Sequence, residues 1–318
     1  IQPLPGTVFD RRRTPLAPTS DFARHTLGRA GPVTAEMIDE QPDRYVAGDV
    51  AGRSGLQAAY DERLFGTPGI EVVLVGDGAP DDPALFSDDA VPGDPVTVTL
   101  DAQVQRAADA AVEGTGFATG LAVVRPSDGH VLALANSSEA GFDVARTAQV
   151  PPGSTFKLVT TQALLDATDL GPDTTIACPN AVEVGGRTIT NAESQELGEV
   201  PFRTAFVNSC NTAFVQLSQE LGSTALREAA RRFGVGADWS LGLDAFAGEV
   251  PETGDDVDLA ATAIGQGRSL VSPLAMAGVA ATVANGGFPG LSLVLEPGPG
   301  DPDVSTELPP DHAALLQE

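Results

Sequence analysis

The sequence predicts a mixed α/β (α+β) fold in which an antiparallel sheet is flanked by helices. Three observations predict it. Two short apolar runs, Leu121 to Arg125 and Val131 to Ala135, are separated by Pro126-Ser127-Asp128-Gly129-His130, the pattern of a hairpin. A capped helical period after Asp101 precedes that hairpin, and helical spacings dominate from Thr155 to Asn285. With 318 residues, 42% of them hydrophobic, the chain is long enough for one large domain and a smaller one.

Residues 1–92, rich in Gly, Pro, Asp and Arg, read as a small N-terminal linker or pedestal region, and 93–318 as a second domain. In the first, Ser54 is a helix cap, Leu56, Ala59, Tyr60 and Leu64 line one face, and Gly66 ends the helix. Ile70 to Val75 reads as a strand, followed by an acidic, turn-rich stretch to Asp94. The second region opens on the strand Val96 to Leu100. Asp101 then caps a helix whose Val104, Ala107, Ala108, Ala111 and Val112 are expected to face inward. His130, at the hairpin tip, is expected to be exposed.

Beyond the hairpin, Gly153-Ser154 marks the start of a helix over Thr155 to Asp166. Further helices are expected over Thr204 to Asn208, Thr212 to Glu220, Ser223 to Phe233 with Gly234 as its stop, and Ser272-Pro273 to Asn285 before Gly286-Gly287. Pro309-Pro310-Asp311 begins a last helix that is cut short at Glu318. With Ile1 rather than methionine at the other end, the sequence reads as a piece of something longer.

The charge balance excludes several classes of partner. Eighteen basic against 44 acidic residues give a net charge of -26, which repels phosphate backbones and anionic membranes, so nucleic acid is not expected to bind. Asp81-Asp82, Asp88-Asp89 and Asp255-Asp256 lack the spaced register of a calcium loop and read as solvated loops or surface salt adaptation. Cys178 and Cys210 cannot make a zinc site alone, and His25, His130 and His312 have no ligand spacing, so no metal or cofactor is implied. The two cysteines fit a disulfide and a pair of buried thiols equally well. No run approaches the ~20 apolar residues that cross a bilayer.

Lys157 is the only lysine in the chain, three positions after Ser154. Arginine stays protonated at any accessible pH, whereas a desolvated lysine can lose its proton and act as a base. A serine at a helix N-terminus has backbone N–H groups aimed where negative charge develops in acyl transfer, and a lysine at i+3 shares its face. The same spacing also fits a plain capping serine beside a solvated lysine. A second polar cluster, Ser209-Cys210-Asn211, lies between two apolar helical stretches. Its buried hydroxyl and amide would need partners and could pass protons onward, or Ser209 could simply cap a helix.

Together these residues resemble the serine penicillin-recognising enzymes, and specifically a class B penicillin-binding protein. Pro-Pro-Gly-Ser154-Thr-Phe-Lys157 matches the Ser-x-x-Lys motif and Ser209-Cys210-Asn211-Thr212-Ala213-Phe214 the Ser-x-Asn motif. Ile264-Gly265-Gln266-Gly267 and Ser272-Pro273-Leu274-Ala275-Met276-Ala277 follow in family order. Upstream, Ser54-Gly55-Leu56-Gln57 to Tyr60, Leu64 and Gly66-Thr67-Pro68-Gly69 resemble the linker helix before the catalytic domain, and Thr99-Leu100-Asp101 with Gln103 and Gln105 its first helix. The resemblance runs from about Phe22 to Pro289.

It implies the transpeptidase or β-lactamase-like fold. It also implies cross-linking of peptidoglycan stem peptides: Ser154 attacks the D-alanyl-D-alanine carbonyl, Lys157 accepts its proton, Ser209 relays a proton to the leaving group, and Asn211 with Thr212 lies on the substrate side. β-Lactams would acylate Ser154, and cell-wall synthesis machinery would be a partner. The expected location is the outer face of the cytoplasmic membrane, with an N-terminal anchoring helix outside this sequence. One motif departs: no Lys-Thr/Ser-Gly tripeptide occurs in these residues, which places it beyond Glu318 and predicts little activity for the chain as it stands. Losing half an oxyanion hole costs roughly 100- to 1000-fold. A β-lactamase is the nearest rival enzyme, but the class A kind, which places a deacylating glutamate after the Ser-x-Asn motif, is disfavoured because Glu193 and Glu196 precede it. A non-catalytic penicillin sensor or scaffold would need the same pocket. A Ser-His-Asp hydrolase lacks its Gly-x-Ser-x-Gly elbow.

Overall fold

The computed structural model describes residues 6–16, 22–73, 84–296 and 305–318. Val96–Val98, buried along its whole length, is the middle strand of a three-stranded sheet. It runs parallel to Val8–Phe9 and antiparallel to Val294–Glu296. Alternating β-branched residues with no side chain exposed suit a strand covered on both faces. Thr99, just past it, donates its hydroxyl to Val131 O at 2.7 Å, and Val131 N donates to Ser292 O at 2.9 Å, which ties the hairpin to this sheet.

The hairpin is where the sequence placed it, Gly120–Val124 against Val131–Asn136, with Leu121 opposite Ala135 and Ala122 opposite Leu134. Helix Ala102–Val112 packs on the second strand and helix Pro273–Asn285 on the first, so helices flank the pair. Asp101 caps the earlier helix by accepting from Gln103 N and Val104 N. The buried face differs from the one expected. Ala107 and Ala111 are exposed, while Gln105 is fully buried with Ala108 and Val112. Its amide explains this: Gln105 Nε2 donates to Leu134 O and Gln105 Oε1 accepts from Leu134 N, both at 2.9 Å, so the polar side chain is satisfied against the strand.

In the N-terminal region the single helix expected from Ser54 to Gly66 is two, Gly55–Ala59 and Asp61–Phe65, broken at Tyr60. The half-turn is dictated by Asp61, which is buried and accepts from Arg44 Nη2 at 2.7 Å and from the Tyr45 hydroxyl. Ser54 Oγ accepts from Arg29 N instead of capping the helix. The strand expected over Ile70 to Val75 ends at Val72 and pairs antiparallel with Phe86–Asp88, a strand inside the stretch read as turns. Leu74, Val75 and Asp81-Asp82 lie outside the described residues.

The helical half is built on Phe156, Phe202, Phe214 and Phe233, all buried, with Val159, Leu164 and Leu226 between them. Each such side chain contributes about 1.5–3 kcal/mol of burial. Its helices are Lys157–Ala167, Phe202–Val207, Asn211–Ser218, Ala225–Arg232 and Pro273–Asn285, with Gly234 and Gly286 in the left-handed region after two of them. Asp256–Ala263, capped by Asp255, was not expected. Nor were two small antiparallel pairs, Thr175–Cys178 with Gly198–Pro201 and Ala181–Val184 with Arg187–Thr190. His130 is half-buried rather than exposed, its Nδ1 2.7 Å from Arg125 Nη2, and burial pushes its pKa down. Pro310–Gln317 is helical and buries Ala313 against the helical half. Among the described residues no helix is long and apolar enough to cross a membrane.

Candidate active site

Ser154 sits in a single 3-10 turn, Gly153–Phe156, that runs directly into the helix Lys157–Ala167. The turn is seated by the Gly-Gln-Gly segment. Gly153 N donates to Gly265 O at 2.8 Å, and a Cβ on Gly265 would lie 1.8 Å from Gly153 O, so only glycine lets the two backbones approach this closely. Val150 and Val271 exchange both backbone hydrogen bonds on the same side. Phe156 is driven into the core, which leaves Ser154 exposed and turns Lys157 inward at 3% exposure.

The second polar cluster closes over that lysine. Lys157 Nζ donates to Asn211 Oδ1 at 2.7 Å, to Ser209 O at 2.8 Å and to Ser209 Oγ at 3.0 Å, and lies 3.4 Å from Ser154 Oγ. It also stands 5.3 Å from the centre of the Phe214 ring. Every oxygen it meets there belongs to an uncharged group. Burial without a counter-charge therefore pushes its pKa down from 10.5 to about 8. Ser209 adopts φ +55, a left-handed conformation between Phe202–Val207 and Asn211–Ser218. It does not cap the second helix. That place is taken by Cys210, whose Sγ accepts from Ala213 N and is bonded to Cys178 Sγ.

The pair Ser154 and Lys157 and the pair Ser209 and Asn211, about fifty residues apart in sequence, thus meet within one hydrogen-bonded group. Thr212 does not face that group. Its side chain is fully buried, and the hydroxyl donates to Pro179 O at 2.7 Å and accepts from Asn191 Nδ2 at 3.2 Å, because the first helical turn carries it into the protein. Asn191 and the contact between Gly153 and Gly265 were not singled out from sequence as parts of the site. Asn191 has no local signal, since its main partner lies 21 positions away. Among the described residues no three His, Cys, Asp or Glu side chains come together as a metal site.

An exposed serine hydroxyl beside a buried lysine of lowered pKa, with a second hydroxyl and an amide on the same amine, is an arrangement for acyl transfer. Residues 119–290 match the family described as the penicillin binding protein transpeptidase domain, and residues 2–98 the penicillin-binding protein dimerisation domain. The chain is a class B penicillin-binding protein. It is 41% identical over 144 residues to the peptidoglycan D,D-transpeptidase PbpA of Mycobacterium tuberculosis, covering 43% of this chain and 29% of that one. It is 29% identical over 264 residues to the penicillin-binding protein PbpB of Mycolicibacterium smegmatis, covering 75% and 40%. This penicillin-binding protein chain spans half or less of the length of the curated relatives it matches. Its fold is that of Pseudomonas aeruginosa PBP2, with a TM-score of 0.78 at 21% identity over 99% of this chain and 78% of the other. A peptidoglycan synthase complex contains a chain similar at TM-score 0.78 and 26% identity, over 93% and 60%.

Proposed function

We propose that the protein to which this chain belongs is a peptidoglycan D,D-transpeptidase working through an acyl-serine intermediate. The observation that carries the reading is the lysine amine of pKa about 8, 3.4 Å from an exposed serine hydroxyl at the start of a helix. Ser154 Oγ attacks the carbonyl between two D-alanines while Lys157 takes its proton. Ser209 passes a proton to the departing D-alanine amine, and Asn211 holds an amide of the acyl chain. The Ser154 N–H donates to the developing oxyanion. The amine of a neighbouring stem peptide then attacks the ester, forming the cross-link and returning the Ser154 hydroxyl. A β-lactam opens on the same oxygen and remains there.

Similarity to a PBP2 solved with MreC and to a chain of a peptidoglycan synthase complex supports cell-wall machinery as partner and the outer face of the membrane as location. The test is labelling with a fluorescent penicillin, applied to the full-length protein and to its Ser154→Ala variant. Labelling of the full-length protein that disappears with the Ser154 hydroxyl is expected. Equal labelling of full-length wild type and Ser154→Ala would remove the assignment.

A further inference from the structure

Three successive residues of the second polar cluster are tied to one neighbouring segment. Cys210 is bonded to Cys178, Asn211 Nδ2 donates to Thr190 O at 3.2 Å, and Thr212 N donates to Asn191 Oδ1 at 3.0 Å. Asn191 is 5% exposed, and its side chain is committed at both ends. Besides accepting from Thr212 N, its Nδ2 donates to Gln195 O at 2.8 Å and Pro179 O at 3.0 Å and reaches Thr212 Oγ1 at 3.2 Å. One amide thereby holds Thr212 at both its backbone and its hydroxyl. The peptide link carries that constraint to Asn211, whose other side-chain end rests on Lys157.

Ser209 gives a reason for such a clamp. A serine at φ +55 is in the left-handed region that favours glycine, a conformation held here from both flanks. On the N-terminal side, Ser209 N and Cys210 N donate to Phe206 O and Ala205 O. On the C-terminal side the ties are the disulfide and Asn191.

We propose that Asn191 is a positioning residue for the acylation of Ser154, holding Thr212 so that Asn211 and Ser209 stay on the Lys157 amine. The proposal rests on the acyl-serine reading. Asn191 touches neither the nucleophile nor the base and acts through the loop alone. A misplacement of about 1 Å in such a constellation costs on the order of 100-fold in rate.

The test measures two quantities on the full-length protein with a fluorescent penicillin: the second-order acylation rate constant and the final labelled fraction. Asn191→Leu keeps the shape and removes every side-chain hydrogen bond. It is expected to acylate about 10- to 100-fold more slowly while the labelled fraction at long times stays that of wild type. In an Asn211→Ala background the same substitution should cost clearly less than in the wild-type one, since one of the two groups it positions is gone and Ser209 alone remains. If Asn191→Leu does not fold, Asn191→Ala, which leaves room for water at the Thr212 N–H, is measured with the same expectation. A wild-type rate constant in the variant would overturn the proposal, as would a reduced labelled fraction at unchanged rate or an undiminished effect beside Asn211→Ala. Absence of Ser154-dependent labelling in the wild type would instead sink the acyl-serine reading, and this proposal with it.

Discussion

Lys157 Nζ lies 2.7 Å from Asn211 Oδ1, closer than to Ser154 Oγ at 3.4 Å, so the amine of the first motif rests on the second. Ser209 O, Ser209 Oγ and Asn211 Oδ1 match the three N–H donors of an ammonium, which leaves Ser154 outside a complete set. Losing one proton exposes a lone pair, into which the Ser154 hydroxyl at 3.4 Å can donate as well as the Ser209 hydroxyl at 3.0 Å. On the proposed mechanism, the step therefore waits on deprotonation rather than on rearrangement.

Acylation should consequently follow the Lys157 titration. Burial holds that amine at about 8, so the rate is expected to rise about tenfold per pH unit below this value and to level above it. Asn211→Asp puts a carboxylate where a neutral oxygen now stands. Opposite charge favours the protonated lysine, so the midpoint should move up by about one to three pH units and the lost rate return in alkali. Penicillin acylation rates from pH 6 to 10 check both. A flat profile in the wild type would dissociate Lys157 from the chemistry. The sign for stability is the reverse of a salt bridge: the unfolded lysine titrates near 10.4, the folded one lower, so the unfolded state binds more protons between the two. Stability from this group should therefore rise as pH climbs from about 8 toward 10.4.

Ser209 allows backbone and hydroxyl to be separated. Its left-handed φ of +55 suits glycine, so Ser209→Gly removes the hydroxyl while relieving up to about 1 kcal/mol of strain, whereas Ser209→Ala removes it and keeps the strain. The glycine variant is expected to melt at or above the alanine variant, and both to lose roughly 100-fold or more in turnover of a D-alanyl donor. Melting curves and turnover on the same preparations decide it. Undiminished turnover in either variant would take the proton relay away from Ser209.

The parts legible in the sequence were those written locally. Ser154 and Lys157 share a turn, Ser209 and Asn211 flank one residue, and Asp101, Asp255 and Ser272 stand where caps belong, although only the first and last were read as helix starts. What escaped was non-local. Gln105 looks like a solvent-facing residue until Leu134 is beside it, and the break at Tyr60 goes with the reach of Arg44, Tyr45 and Gly52 N to Asp61. Strands such as Ala181–Val184 and Arg187–Thr190 pair through exposed and half-exposed residues, and so carry too little apolar alternation to stand out. Thr212 belongs to the same run as the Ser-x-Asn motif, but helical geometry sends adjacent side chains to different faces.

The Gly-Gln-Gly segment is hydrogen-bonded to the turn that carries Ser154 rather than to the Lys157 amine, yet its substitution should affect acylation. Gly265 has φ +70, and an added Cβ would overlap Gly153 O at 1.8 Å and the Gly153 carbonyl carbon at 2.6 Å. Backbone on both sides leaves no flexible side chain to move aside. Gly265→Ala must then distort one of two things: the 264–267 turn, at about 1–3 kcal/mol for the left-handed position alone, or the turn that presents Ser154. The hydrogen bond from Gly153 N to Gly265 O couples the two, so distortion of either shifts the serine. A lower melting temperature together with at least tenfold slower penicillin acylation is the expected result, from calorimetry and labelling on one preparation. Gly267→Ala serves as the comparison: it has φ +81 but its nearest neighbour, the Ala261 Cβ, is 3.4 Å away, so it should show the strain without the loss of rate. Equal loss of rate in both would mean that general destabilisation, and not the seating of Ser154, explains the effect.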